Sequence, residues 1–91
     1  MTVTIQLSSL LREYVGGMSD FRLAAPSVRA AMSEIERTHP ALYRSVCDET
    51  GAVRKHVNIF VNTHNTRDAK GIDTPLSPGD VVTILQAVSG G

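Results

Sequence analysis

Alternating apolar and polar residues occupy both ends of this 91-residue chain, and one stretch of helical spacing lies between them. That order limits the possible folds more than any other feature. Val3, Ile5 and Leu7 fall on one side of an extended chain and Thr2, Thr4 and Gln6 on the other, the period-two pattern of a half-buried strand. The alternation recurs at Val57, Ile59 and Val61, with His56, Asn58, Phe60 and Asn62 opposite, and again from Val81 to Val88. Between them Val28, Met32 and Ile35 recur at spacings of four and three, which predicts a helix over 27–38 with one apolar stripe. Pro26 suits a first turn and the Ser27 hydroxyl can cap a free amide, while His39-Pro40 stops the helix.

The weaker signals fill in around this frame. Gly16-Gly17 breaks the chain after the first strand, and Asp20 to Ala24 reads as its hairpin partner across a loop longer than two residues. Leu42 and Val46 predict a short second helix over 41–47, ended by Gly51. Thr63 to Lys70 is too polar for a core element and reads as loop with a brief strand. Pro78 before Gly79 suits a type II turn leading into the last strand. Hairpin, helix, crossover and strands place the chain in the α+β class, as a mixed sheet of four to five strands packed on one main helix. A chain of this length buries roughly 60–65% of its surface on folding, enough for one core and too little for two. The expected division is a domain over 1–87 and a flexible tail over 88–91.

Charge and composition then exclude function classes. Nine basic residues balance nine acidic ones, whereas a nucleic-acid binder that works by releasing phosphate counterions needs a basic excess. Arg54-Lys55-His56 is only a local basic cluster, open to a partner's acidic patch or to solvent. Apolar runs stop at about three residues, too short to span a bilayer. The amino-terminal segment alternates instead of presenting a signal-peptide core, so a soluble cytoplasmic domain is expected. A single cysteine, Cys47, excludes an intramolecular disulfide framework, and it reads as a small packed residue. His39, His56 and His64 lack a helical metal spacing, so no metal site is expected. Ser89 has no Gly-x-Ser-x-Gly context of a nucleophile elbow, and Asp68, Asp73 and Asp80 sit where loops use Asp for local hydrogen bonds.

The chain ends Gln86-Ala87-Val88-Ser89-Gly90-Gly91. At about 7% glycine per position, two glycines at the end arise by chance in roughly 0.5% of chains. A frayed end is the ordinary alternative. The whole chain nevertheless resembles the bacterial ubiquitin-like sulfur carriers, the family of the molybdopterin synthase small subunit and the thiamine-pathway carrier. The matching stretches are His56-Val57-Asn58-Ile59-Phe60-Val61-Asn62, the Leu76-Ser77-Pro78-Gly79-Asp80 turn, and Val82 through Gly91 with its Ala-Val-Ser-Gly-Gly ending. The segment 40–55 is longer than a thiamine carrier needs and looks more like the carrier of cysteine biosynthesis from O-phosphoserine, with the molybdopterin subunit second.

This resemblance implies a ubiquitin-like β-grasp fold and a defined chemistry. A partner resembling the ubiquitin-activating enzymes would adenylate the Gly91 carboxylate with ATP, and a sulfur donor would displace AMP to leave a thiocarboxylate. The cargo would pass to an acceptor, either a pyridoxal-phosphate cysteine synthase or a molybdopterin synthase large subunit. The domain would then be a cosubstrate that binds no cofactor of its own and has no active site. Two other classes stay open: a protein modifier whose Gly91 forms an isopeptide bond, and an interaction module with an idle tail.

A five-residue tail, Ala87 to Gly91, extends at most about 17 Å. Missing Cβ atoms at Gly90 and Gly91 let an enzyme's walls close on the backbone, and ordering the tail has an entropic cost that a docking face must offset. If Val82 and Ile84 face the helix, then Leu85 faces outward, and Phe60 does the same on the central strand. Phe60, Leu85 and Val88 are therefore the expected docking spot, with Ser89 and Gly90 bound beside them. Single exposed apolar residues are also ordinary and need no such role.

Overall fold

The computed structural model describes residues 2–87. Its strands are β1 (Val3–Leu7), β2 (Asp20–Leu23), β3 (Val57–Val61), β4 (His64–Asn65) and β5 (Val81–Gln86). Its helices are α1 (Val28–Thr38) and α2 (Pro40–Val46). The five strands form one mixed sheet in the order β2-β1-β5-β3-β4. The pairing of β1 with β5 is parallel, with Ile5 opposite Val82 and Leu7 opposite Ile84. The other pairs are antiparallel. The last strand thus lies at the centre of the sheet with a neighbour on each side.

One face of that sheet carries the core. Val3, Ile5 and Leu7 of β1, Val57, Ile59 and Val61 of β3, and Val82 and Ile84 of β5 are buried together with Val28, Ala31, Met32 and Ile35 of α1. Each alternation seen in the sequence therefore resolves in the predicted direction. A slip of one residue would turn each set to solvent, so burial fixes the register. The result is the β-grasp architecture, a sheet wrapped over one main helix.

The start of α1 is set by chemistry legible in the sequence. Ser27 is the N-cap, and its hydroxyl accepts from the Ala30 amide at 3.1 Å. Ser27→Ala is expected to cost about 1 kcal/mol, the usual value of such a cap, read as a lower midpoint in urea with an unchanged slope. An unchanged midpoint would show that the bond contributes nothing. The predicted turn also forms: the Asp80 amide donates to the Ser77 carbonyl at 3.1 Å and Gly79 takes φ +85°. Asp80 braces it by accepting from the Ser77 amide (2.8 Å) and the Asn62 side-chain amide (3.1 Å), bonds that hold its carboxyl below the usual range.

Four details refine the expectation. The hairpin loop contains a 3-10 helix, Ser9–Val15, whose Leu11 and Val15 are buried. Helix α2 ends at Val46, well before Gly51; Asp48 then accepts from the Thr50 and Ala52 amides and turns the chain. The polar run after β3 contributes the expected brief strand β4 and, beyond it, a 3-10 turn, Thr66–Asp68, whose buried Thr66 hydroxyl donates to the Ile59 carbonyl at 2.9 Å. Strand β5 spans Val81–Gln86, and the last position of its expected alternation, Val88, lies outside the described residues.

Candidate functional site at the end of the central strand

The described chain closes at Ala87, and both neighbouring strands hold its approach. On the β1 side the Ser8 amide donates to the Ile84 carbonyl (3.1 Å) and the Gln86 amide donates to the Ser8 hydroxyl (3.2 Å). On the β3 side the Ala87 amide donates to the His56 carbonyl at 2.8 Å. The root of the 88–91 segment is thus fixed to the middle of the sheet. Val88, Ser89, Gly90 and Gly91 themselves lie outside the described residues.

Phe60 and Leu85 fall on the open face, as the alternation requires. Thr83 stands opposite Phe60 and Asn58 opposite Leu85, so the two apolar side chains are diagonal neighbours across the β3–β5 pair. That diagonal spans about 7–8 Å, within reach of one partner side chain. Leu85 is 39% exposed, while Phe60 is half-buried. The sheet therefore brings these two together beside the root.

Sequence reasoning missed other residues at this end. Arg67 reaches back across β3: its guanidinium donates to the Asn58 side-chain oxygen and to the Arg54 carbonyl (3.2 Å), tying the approach to β3 down against the strand. Arg12 donates from Nε to the Leu7 carbonyl at 3.2 Å. A groove of about 360 Å³ runs beside the root, lined in part by Ser8, Arg12, Asp20, Thr83 and Leu85. Beyond it the 3-10 segment and the turn that follows expose Leu10, Tyr14 and Met18. The available signal was the Leu10-Leu11 pair: neighbours on a helical turn diverge, so burying Leu11 leaves Leu10 outside.

The residues set aside on sequence grounds have ordinary surroundings. His39 stacks on Phe21 with ring centroids 4.6 Å apart. Among the described residues no group of three His, Cys, Asp or Glu side chains is arranged to hold a metal ion. No described helix is long and apolar enough to cross a membrane. Cys47 is buried, and desolvation, with Asp48 adding to it, pushes its thiol up to about 11. A thiolate is the reactive form, so native Cys47 is expected to alkylate at pH 8 about a hundredfold more slowly than in the unfolded chain. Iodoacetamide labelling with and without guanidinium checks this; equal rates would place the thiol at the surface.

Comparison with known proteins places the chain among relatives. The model of the ThiS family matches residues 5–91. The sulfur carrier protein CysO of Mycobacterium tuberculosis is 32% identical over 93 aligned residues that span 100% of both chains. Its crystal structure superposes with a TM-score of 0.86 at 31% identity, covering 94% of this chain and 99% of that one. The Amycolatopsis orientalis BexX/CysO complex contains a chain that matches with a TM-score of 0.89 at 27% identity, over 98% of this chain and 99% of that one. The small archaeal modifier protein 1 of Methanosarcina acetivorans matches with a TM-score of 0.84 at 29% identity, over 99% and 96% of the two chains.

Proposed function

The chain belongs to the ThiS family and is a sulfur carrier of the CysO type, and from that premise we propose that Gly91 is its working group. An ATP-dependent partner adenylates the Gly91 carboxylate, releasing pyrophosphate. A sulfide-level nucleophile then attacks the acyl carbon, forming the C–S bond as the C–O bond to AMP breaks. The resulting thiocarboxylate passes its sulfur to an acceptor enzyme, first a pyridoxal-phosphate cysteine synthase and alternatively a molybdopterin synthase large subunit. The chain acts in the cytoplasm as a cosubstrate and performs no catalysis itself. The observation that carries this reading is the match to CysO along the full length of both chains, through the final glycines, on a fold that anchors the tail root in its central strand.

Docking follows from the same geometry. Phe60 and Leu85 form the contact spot, and Val88, Ser89 and Gly90 enter the partner with Gly91. Leu85→Glu is expected to raise the KM for adenylation roughly tenfold while the melting temperature stays within about 2 °C, because an exposed position carries little stability. Pyrophosphate exchange with the native host's activating enzyme gives the first quantity and a thermal melt the second. A Leu85→Glu variant that unfolds would show instead that Leu85 packs into the core.

A second reading has one specific support, the likeness to small archaeal modifier protein 1. Under it the activated Gly91 is attacked by a lysine amine of a target protein. Blotting for conjugates of a tagged chain in its native host separates the two, since a carrier leaves no ladder of higher-mass species.

A further inference from the structure

Four large apolar side chains are exposed among the described residues: Leu10, Tyr14, Met18 and Leu85. All four lie at the end of the molecule from which the tail leaves. Leu10 and Tyr14 sit on the 3-10 segment that starts directly after Ser8, which bonds Gln86 at the tail root. Met18 follows within the same connection, which closes where the Leu7 amide donates to the Ser19 carbonyl at 2.9 Å. Leu85 lines the same groove as Arg12 of this connection.

Arg12 stands in that groove without a carboxylate partner among the described residues. Among the described residues Nε alone has an acceptor, the Leu7 carbonyl. The ion pairs among the described residues are Arg29–Asp73 and Arg37–Glu34, so neither Asp20 in the groove nor Glu13 on the same segment neutralises Arg12. The Asp20 carboxylate accepts from the Ser19 hydroxyl at 3.3 Å instead.

Reach decides what covers this surface. From Ala87 to Gly91 the chain spans at most about 17 Å, so a protein that takes Gly91 into an active site brings its own surface against the tail root. A second copy of this chain is a poor occupant: four side chains about two-fifths exposed fall far short of the roughly 800 Å² a side that a stable interface buries. An enzyme that also grips the tail needs only a small, transient footprint. We propose that the enzyme adenylating Gly91 docks across the 9–18 connection as well as on Leu85, placing an apolar wall against Leu10, Tyr14 and Met18 and a carboxylate against Arg12. This rests on the reading of Gly91 as the activated group. Activation is the committed partner because any later use of the tail, for sulfur or for conjugation, requires it.

The test is pyrophosphate exchange with the native host's activating enzyme, using Leu10→Asp, Met18→Asp and Arg12→Glu, with exposed Lys70→Glu as a control outside the 9–18 connection. The expected result is a KM for the carrier raised tenfold or more with kcat within twofold, and a wild-type KM for Lys70→Glu. The Arg12→Glu deficit should shrink as salt rises, since an exposed charge contact is screened. Thermal melts select the folded variants, and Met18→Asp in the connecting turn keeps the test available where Leu10→Asp fails to fold. A KM within twofold of wild type for the folded variants overturns the docking inference and leaves the carrier reading intact. No exchange by the wild-type chain overturns both.

Discussion

Deletion of Gly91 is expected to reduce adenylation by at least two to three orders of magnitude while leaving the fold untouched. The carboxylate that attacks ATP would then sit on Gly90, drawn back by one residue, about 3.3–3.6 Å. Misplacement of a reacting group by only 1 Å can cost about a hundredfold, because orientation carries much of the catalytic advantage. The tail cannot recover that distance by sliding, since the Ser8 and His56 bonds fix its root in the sheet. Pyrophosphate exchange should therefore fall to background with an unchanged melt. Retained exchange in the deletion would contradict this and would mean that the activating enzyme does not read tail length.

The largest effect on stability is expected at Ile84. It is fully buried at the centre of β5, opposite Leu7 on one side and Ile59 on the other, so no neighbouring strand can collapse to fill its place. Ile84→Ala should cost about 3–5 kcal/mol, combining lost transfer energy with a residual cavity. Set against a total of about 5–15 kcal/mol for a typical domain, that is a large fraction. At roughly 4–8 °C per kcal/mol for a domain of this size, the melting temperature should drop by more than about 12 °C. Thr83→Ala, one residue away on the open face, should move it by no more than about 3 °C, within the usual range for such sites. A comparable drop at both positions would contradict the assignment of faces on β5.

The contrast between Ile84 and Thr83 is also where the sequence was most informative. Alternation on β1, β3 and β5 names the buried face because strand periodicity is strictly two, and Ser27 marks the start of α1 because its hydroxyl supplies a missing acceptor. What escaped notice depends on tertiary packing. The 3-10 helix Ser9–Val15 is a short element in which only Leu11 and Val15 are buried, and a span that brief carries no usable period. Thr66 is buried because its hydroxyl meets the Ile59 carbonyl, a pairing seven residues long that composition does not encode. The parallel junction of β1 and β5 joins residues more than seventy positions apart.

The candidate site was legible in the same uneven way. Phe60 and Leu85 followed from alternation alone, and their diagonal placement is the geometry that alternation implies. Arg12, Leu10, Tyr14 and Met18 did not, because they stand in a connection that only the fold brings beside the end of β5. Arg67 reads as one charge in a polar loop until the fold carries its guanidinium back to the Arg54 carbonyl.

The central claim is that Gly91 carries sulfur, and intact mass spectrometry tests it most directly. The chain would be incubated with its native host's activating enzyme, ATP and sulfide, then weighed whole and by fragments. The predicted result is a gain corresponding to one oxygen exchanged for one sulfur, mapped to Gly91 and absent when Gly91 is deleted. An unchanged mass, under conditions that charge another carrier of the family, would contradict it.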